Sequence, residues 1–324
     1  MNIIPSIFNQ KKISYTVLGG AENPSKVLMN VTCVVLCENG NMLRSRVLEN
    51  LLAKGFERII LIERKAPGVS AQQLSHQFPT VRFLFILEEG VTSGEMLNIA
   101  VAESESKYIL VVHEEMCAEN FGFDAHTAKR LSEKNVFCVV PRLFSNAMQK
   151  LPVEFEPSAE NSIFKVEILN GSKDYRPTLY SASLAGFYDR EKIIMLGGFD
   201  YTITSEYWQK LDFFFRSWLW GEQTLIANCF DLFYMDQIPD EDQSADISYL
   251  RFYLKNLLPV FVADHGKIPS SSFLAFKAHS SCGFVESLRQ FRDACRWTEK
   301  NKYRFKTDAV NFMQNWNQNE ADKF

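Results

Sequence analysis

The chain has few of the features that would assign a function by composition alone. No window of its 324 residues approaches the roughly 18 uninterrupted apolar residues of a membrane-spanning helix. The amino terminus also lacks the basic region and apolar stretch of a secretory signal. Basic residues are not in excess: 35 Lys and Arg stand against 39 Asp and Glu, a net charge of −4, which excludes the concentrated basic footprint of a nucleic-acid binder. The seven cysteines (Cys33, Cys37, Cys117, Cys138, Cys229, Cys282, Cys295) are odd in number, scattered and mostly set in apolar runs. They show neither paired zinc spacing nor a disulfide framework, as expected of reduced thiols in a cytoplasmic protein. There is no internal repeat, no low-complexity segment and no glycine-rich phosphate loop carrying a lysine.

What is present is a regular alternation. Short β-rich runs at 31–37, 58–62, 81–87, 108–112 and 136–141 are separated by amphipathic segments at 42–54, 70–78, 93–104 and 123–134. That order predicts an α/β fold, with a mainly parallel central sheet flanked by helices. With 46% hydrophobic residues the chain has enough apolar surface for a substantial core. In the first helix Leu43, Val47 and Leu51 repeat with Leu48 and Leu52 alongside, and Gly55 follows where a left-handed cap is wanted. Ser70 and Ser93 supply hydroxyls at the starts of later helices.

Between Pro141 and Tyr180 the alternation breaks, leaving a strand at 163–169 within a variable connection. Order returns with a strand at 179–188, a glycine turn at Gly197-Gly198-Phe199-Asp200, a helix at 206–220 and a strand at 225–234. The remainder, 241–324, reads as a helical C-terminal extension packed on a domain of residues 31–240, with 1–30 as an N-terminal extension. The helix at 206–220 carries Trp208, Phe213, Phe214, Phe215, Trp218 and Trp220 on most of its sides, which marks it as buried. The tail interleaves Arg289, Arg292, Arg296, Lys300, Lys302, Arg304 and Lys306 with aromatic residues. It is expected to be an amphipathic packed tail, with a peripheral contact on the cytoplasmic face of a membrane as the alternative.

The most informative stretch is the apolar run 108–112, which ends abruptly in His113-Glu114-Glu115. Polar, metal-competent side chains at the carboxyl end of a buried strand stand where an open α/β sheet does its chemistry. In order, the run ending at Asn39, the run 58–62 followed by Glu63 and Arg64, the segment holding Gly94 and Asn98, and the strand reaching His113 resemble successive motifs of the family-2 glycosyltransferases. The glycine turn with Gly198, and Asp212 with Arg216 ahead of Gly221, continue the series. The chain looks like a divergent member, and the resemblance covers roughly 31–236.

That resemblance implies a Rossmann-like GT-A fold and transfer of a hexose-type sugar from a nucleotide-diphosphate sugar to a glycan, glycolipid or protein acceptor. It implies nucleotide-sugar contacts from Asn39, Glu63, Asn98, His113, Glu114, Gly198 and Arg216. The metal, Mn2+ or Mg2+, would be held by Glu115 with Glu114, because hard carboxylate oxygens suit a divalent ion placed against a diphosphate.

Two departures bear on mechanism. The family's Asp-x-Asp is His113-Glu114-Glu115 here, and its usual Glu-Asp ahead of Asp212 and Arg216 is Gln209-Lys210. An amide cannot deprotonate an acceptor hydroxyl, which leaves Asp212 or Glu206 as the expected base. The rival expectation is a catalytically inactive relative that serves as a binding or scaffold subunit.

Overall fold

The computed structural model describes residues 11–21, 27–37, 45–64, 69–116, 122–160, 163–171, 173–234, 241–280 and 282–316. Its elements begin with β1 (Tyr15–Gly19), β2 (Met29–Cys37), α1 (Ser45–Ala53), β3 (Phe56–Glu63), α2 (Val69–Gln77), β4 (Arg82–Ile86), α3 (Ser93–Ala102) and β5 (Tyr108–His113). A single 3-10 turn (Glu114–Met116) leads on to α4 (Ala125–Ser132), β6 (Cys138–Phe144), β7 (Glu154–Glu160), β8 (Ile163–Leu169), β9 (Arg176–Pro177) and β10 (Gly186–Asp189). Then come α5 (Arg190–Leu196), α6 (Glu206–Leu219), β11 (Thr224–Phe233), α7 (Ile247–Phe252) and a π-helical turn (Tyr253–Leu257). The chain closes with β12 (Val260–Val262), β13 (His265–Lys267), α8 (Ser272–His279), α9 (Phe284–Asn301) and α10 (Ala309–Gln314).

Among the described residues the main sheet has the order β1-β4-β3-β2-β5-β10-β6-β11-β9. Strands β4, β3, β2 and β5 run parallel, as do β6 and β11. The strand expected at 179–188 is shorter: only Gly186–Asp189 pairs, and it lies antiparallel between β5 and β6. Its first half is instead a turn with Leu184 at φ 59°. Residues 15–19, assigned above to an extension, form an edge strand antiparallel to β4. Pro141 sits inside β6 opposite Ala227, next to an irregularity in β11 between Ala227 and Asp231, where a missing N–H is tolerated.

The central strands are buried on both faces; Cys33, Val34, Val35 and Leu36 of β2 are all fully enclosed, which is why they read as an unbroken apolar run. Leu48 and Leu51 carry the core face of α1, and Gly55 ends it at φ 76°. The connection after β6 contains the hairpin β7–β8.

Helix α6 forms a second centre of packing. Phe213, Phe214 and Phe215 are fully buried, each contributing roughly 1.5–3 kcal/mol of burial. From the C-terminal region, Phe312 and Trp316 pack on Trp218 at ring separations of 5.6 and 5.1 Å, and Trp297 stacks on Trp220. Helix α9 buries Phe291 and Trp297 and exposes Arg289, Arg292 and Arg296, the amphipathic division expected of the tail. Within the C-terminal region read as helical, residues 247–267 divide into α7, the π-helical turn and the small hairpin β12–β13. No helix among the described residues is long and apolar enough to cross a membrane.

Candidate functional site

Strand order reverses between β2 and β5, the topological switch point at which open α/β sheets bind ligands. Cys37 pairs with Glu63 and Leu36 with His113, so the ends of β2, β3 and β5 form one edge. Glu63 shares an apolar hollow there with Cys37, Leu61, Leu74 and Phe85. Asn39 lies outside the described residues.

One corner of this edge is built by the starts of two helices. Thr92, rather than Ser93, caps α3: its hydroxyl accepts from the Glu95 N–H while the Glu95 carboxylate accepts from the Thr92 N–H, a reciprocal capping box. The Ser93 N–H donates instead to Glu206 of α6, at 3.0 Å to each carboxylate oxygen. Arg64, just beyond β3, donates to both Glu206 (2.6 Å) and the Ser93 hydroxyl (2.8 Å). Glu206 therefore acts as an anion on the positive end of α3, and its side chain remains 51% exposed.

Behind this corner is a buried polar layer. Asn98 clamps the glycine turn, donating to the Phe199 carbonyl and accepting from its N–H, both at 2.9 Å. Gln209 accepts from the Thr92 hydroxyl and donates to the Asp200 carbonyl. Gly197 takes φ 85° as the left-handed cap of α5, and the Gly198 carbonyl accepts from Arg216 at 2.8 Å. Arg216 also bonds the Leu196 carbonyl and pairs with Asp212 at 3.1 Å. Asp212 is fully enclosed and accepts further from Lys255 (2.9 Å) and Asn256 (2.7 Å), while Lys255 reaches Asp200 as well (2.9 Å). Asp212, Arg216, Gly198 and Asn98 thus bond one another and the protein interior, so the structure presents none of the four to the edge. Lys255 and Asn256 lie too far along the chain for spacing to have paired them with α6.

Gly94 shows how tightly α3 and α6 meet. A Cβ there would lie 2.3 Å from Gln209 Oε1 and 2.6 Å from a Phe199 ring carbon. Gly94→Ala should cost about 1–3 kcal/mol through overpacking, read as a lower thermal midpoint. An unchanged midpoint would mean that the two helices separate freely.

The second corner lies at the end of β5. The His113 Nε2 bonds the Ser183 carbonyl, and since a carbonyl only accepts, this nitrogen carries the proton. The preceding carbonyl, Ala182, accepts from Lys210 Nζ, which also pairs with Glu241. The turn 182–183 thereby joins the two altered motifs, His113-Glu114-Glu115 and Gln209-Lys210. Lys210 is 5% exposed, with its ammonium 4.7 Å from the Tyr180 ring centre. Burial pulls its pKa below the usual lysine value, against the charge and hydrogen bond of Glu241. The phenol of Tyr207 is pushed up to about 12, by burial first and by Glu241 second. The sequence signal for Lys210 was a cation where the resembling family has a carboxylate, on a helix rich in aromatic residues; nothing in the sequence pointed to Glu241.

Glu114 is buried and Glu115 partly so, on the 3-10 turn after β5. Among the described residues no three His, Cys, Asp or Glu side chains stand together so as to hold a metal ion. The bond from His113 Nε2–H to a carbonyl is also one that a ligating histidine makes with its second ring nitrogen, so it does not count against a metal ion at this strand end.

No family model matches the chain, and no curated protein sequence does. Solved structures do. The fold is similar to that of GalNAc-T7, crystallised with UDP, GalNAc and Mn2+, at a TM-score of 0.57 and 12% identity, over 87% of this chain and 59% of that one. This chain thus spans about three fifths of the GalNAc-T7 length. S. aureus TarS aligns at 0.48 and 10% identity over 87% of this chain and 45% of its own. Its 1–349 form with UDP-GlcNAc aligns at 0.46 and 11%, over 83% and 72%. What the chain shares with GalNAc-T7 at that identity is architecture: it has the GT-A glycosyltransferase fold.

Proposed function

We propose that this protein binds a nucleotide-diphosphate sugar across the carboxyl ends of β2, β3 and β5 and passes the sugar to a hydroxyl of a glycan, lipid-linked or protein acceptor. The observation that carries this reading is the reversal of strand order between β2 and β5 on a GT-A fold, with Glu63, His113 and Glu115 at that edge. In this reading Glu63 and the hollow beside it receive the nucleoside, and the end of β5 faces the diphosphate. Helix α3, tied by Asn98 and Gln209 to the glycine turn, holds the wall between donor and acceptor.

Of the two carboxylates expected as base, Glu206 is the one open to solvent. To accept a proton from an acceptor hydroxyl it would have to exchange Arg64 or the Ser93 N–H for that hydroxyl. That engagement favours the second reading, a GT-A protein that binds nucleotide sugar without transferring it and acts as a binding or scaffold subunit.

Because GalNAc-T7 was crystallised with UDP and Mn2+, UDP-sugars are the first donors to try. Calorimetric titration with UDP- and GDP-sugars, with and without Mn2+, should give micromolar binding weakened by Glu63→Ala. Silence with every donor would sink both readings. Binding without product, when candidate acceptors are added, would select the scaffold.

A further inference from the structure

We infer that the Lys210 ammonium supplies the positive charge that holds the donor diphosphate at the end of β5, so that donor binding does not require a divalent cation. This rests on the crevice being a nucleotide-diphosphate site, as proposed above. The argument is one of place and charge. Lys210 Nζ bonds the Ala182 carbonyl, and the next carbonyl along the chain, that of Ser183, is held by His113. The ammonium therefore stands at the same turn as the strand end where a diphosphate would lie.

The ion pair is lopsided. Lys210 is 5% exposed, whereas its partner Glu241 is 35% exposed and lies on an open stretch of chain. A buried cation with a half-exposed counterion is set up for exchange, because an incoming diphosphate offers more negative charge than one carboxylate. The faces of Tyr180 and Tyr207, 4.7 and 5.7 Å from the ammonium, favour its charged form throughout. Arg64, another cation at this edge, is already paired with Glu206 at 2.6 Å.

The two partners of the pair should act in opposite directions, which a merely structural ion pair would not do. The probe is UDP, titrated calorimetrically in EDTA and in MnCl2 at about pH 6, where a buried lysine keeps its proton more readily. Wild type should bind UDP in EDTA within about threefold of its affinity in Mn2+. Lys210→Met should weaken binding in EDTA by about tenfold or more, and Glu241→Gln should tighten it by about threefold, since the diphosphate no longer competes with a carboxylate.

Binding that demands Mn2+ overturns the inference and leaves the functional reading intact. Absence of binding in both buffers overturns both. If Lys210→Met fails to fold, Glu241→Gln decides alone: tighter binding supports the assignment, and equal or weaker binding overturns it.

Discussion

Asp212→Ala is expected to lower folding stability by roughly 3–5 kcal/mol, the cost of leaving buried cations without their counterion. Asp212 is enclosed among Lys255, Arg216 and Asn256, and in its absence Lys255 would keep its bond to Asp200 and its place 4.9 Å from the Trp297 ring centre. Urea unfolding of the purified variant reads the effect directly. Loss of less than about 1 kcal/mol would show that water or a neighbouring carboxylate replaces the aspartate.

The same residue gives a pH signature. Burial, the largest influence, pushes the Asp212 carboxyl up, but the charges of Lys255 and Arg216 and the bonds from Lys255 and Asn256 together hold it below the usual value. A depressed pKa in the folded state means that the contribution is fully present above the unfolded value near 4 and is lost as pH falls through the lower folded value. The stability gap between wild type and Asp212→Asn should therefore stay level from about pH 7 to 5 and close below about pH 4. A gap that holds at lower pH would contradict the depressed pKa.

The second large effect is expected from Asn98→Ala. It would strip partners from the buried N–H and carbonyl of Phe199, two orphaned groups at about 1–3 kcal/mol each and about 2–4 together. Asn98→Asp, which still accepts from the N–H but cannot donate to the carbonyl, should fall between wild type and Asn98→Ala. Equal losses for the two variants would show that the carbonyl bond alone matters. UDP affinity of either folded variant should change little, because Asn98 reaches the glycine turn and not the edge of the sheet.

Both effects fall on residues that sequence motifs had marked for chemistry. Asp212, Arg216, Gly198 and Asn98 were expected at the ligand, and in the structure they belong to the layer that locks α3, α6 and the glycine turn together. Motif spacing identified them because a rigid turn beside a site needs fixed partners. Spacing alone does not separate a group that touches a ligand from one that holds the turn, since either use places the residue at the same position along the helix. Position 210 gave the reverse outcome. Lys210, noted in the sequence as standing where the resembling family has a carboxylate, is a buried cation whose carboxylate partner, Glu241, lies 31 residues away. Similarly, Thr92 caps α3 where Ser93 had been expected, a difference of one residue set by which hydroxyl reaches the Glu95 N–H.

What the sequence determined by itself was the order of strands and helices, the burial of α6 and the place of the polar edge after β5. Each follows from local periodicity: a strand enclosed on both faces needs an unbroken apolar run, and a helix enclosed on all sides needs apolar residues around its circumference. Tertiary structure alone decided that β10 runs antiparallel between β5 and β6, that residues 15–19 close one edge of the sheet, and that the charges of α6 are answered from the π-helical turn and from Glu241. Those outcomes depend on which distant groups must neutralise one another once water is excluded, and charge pairing across a fold leaves no period in the chain to read.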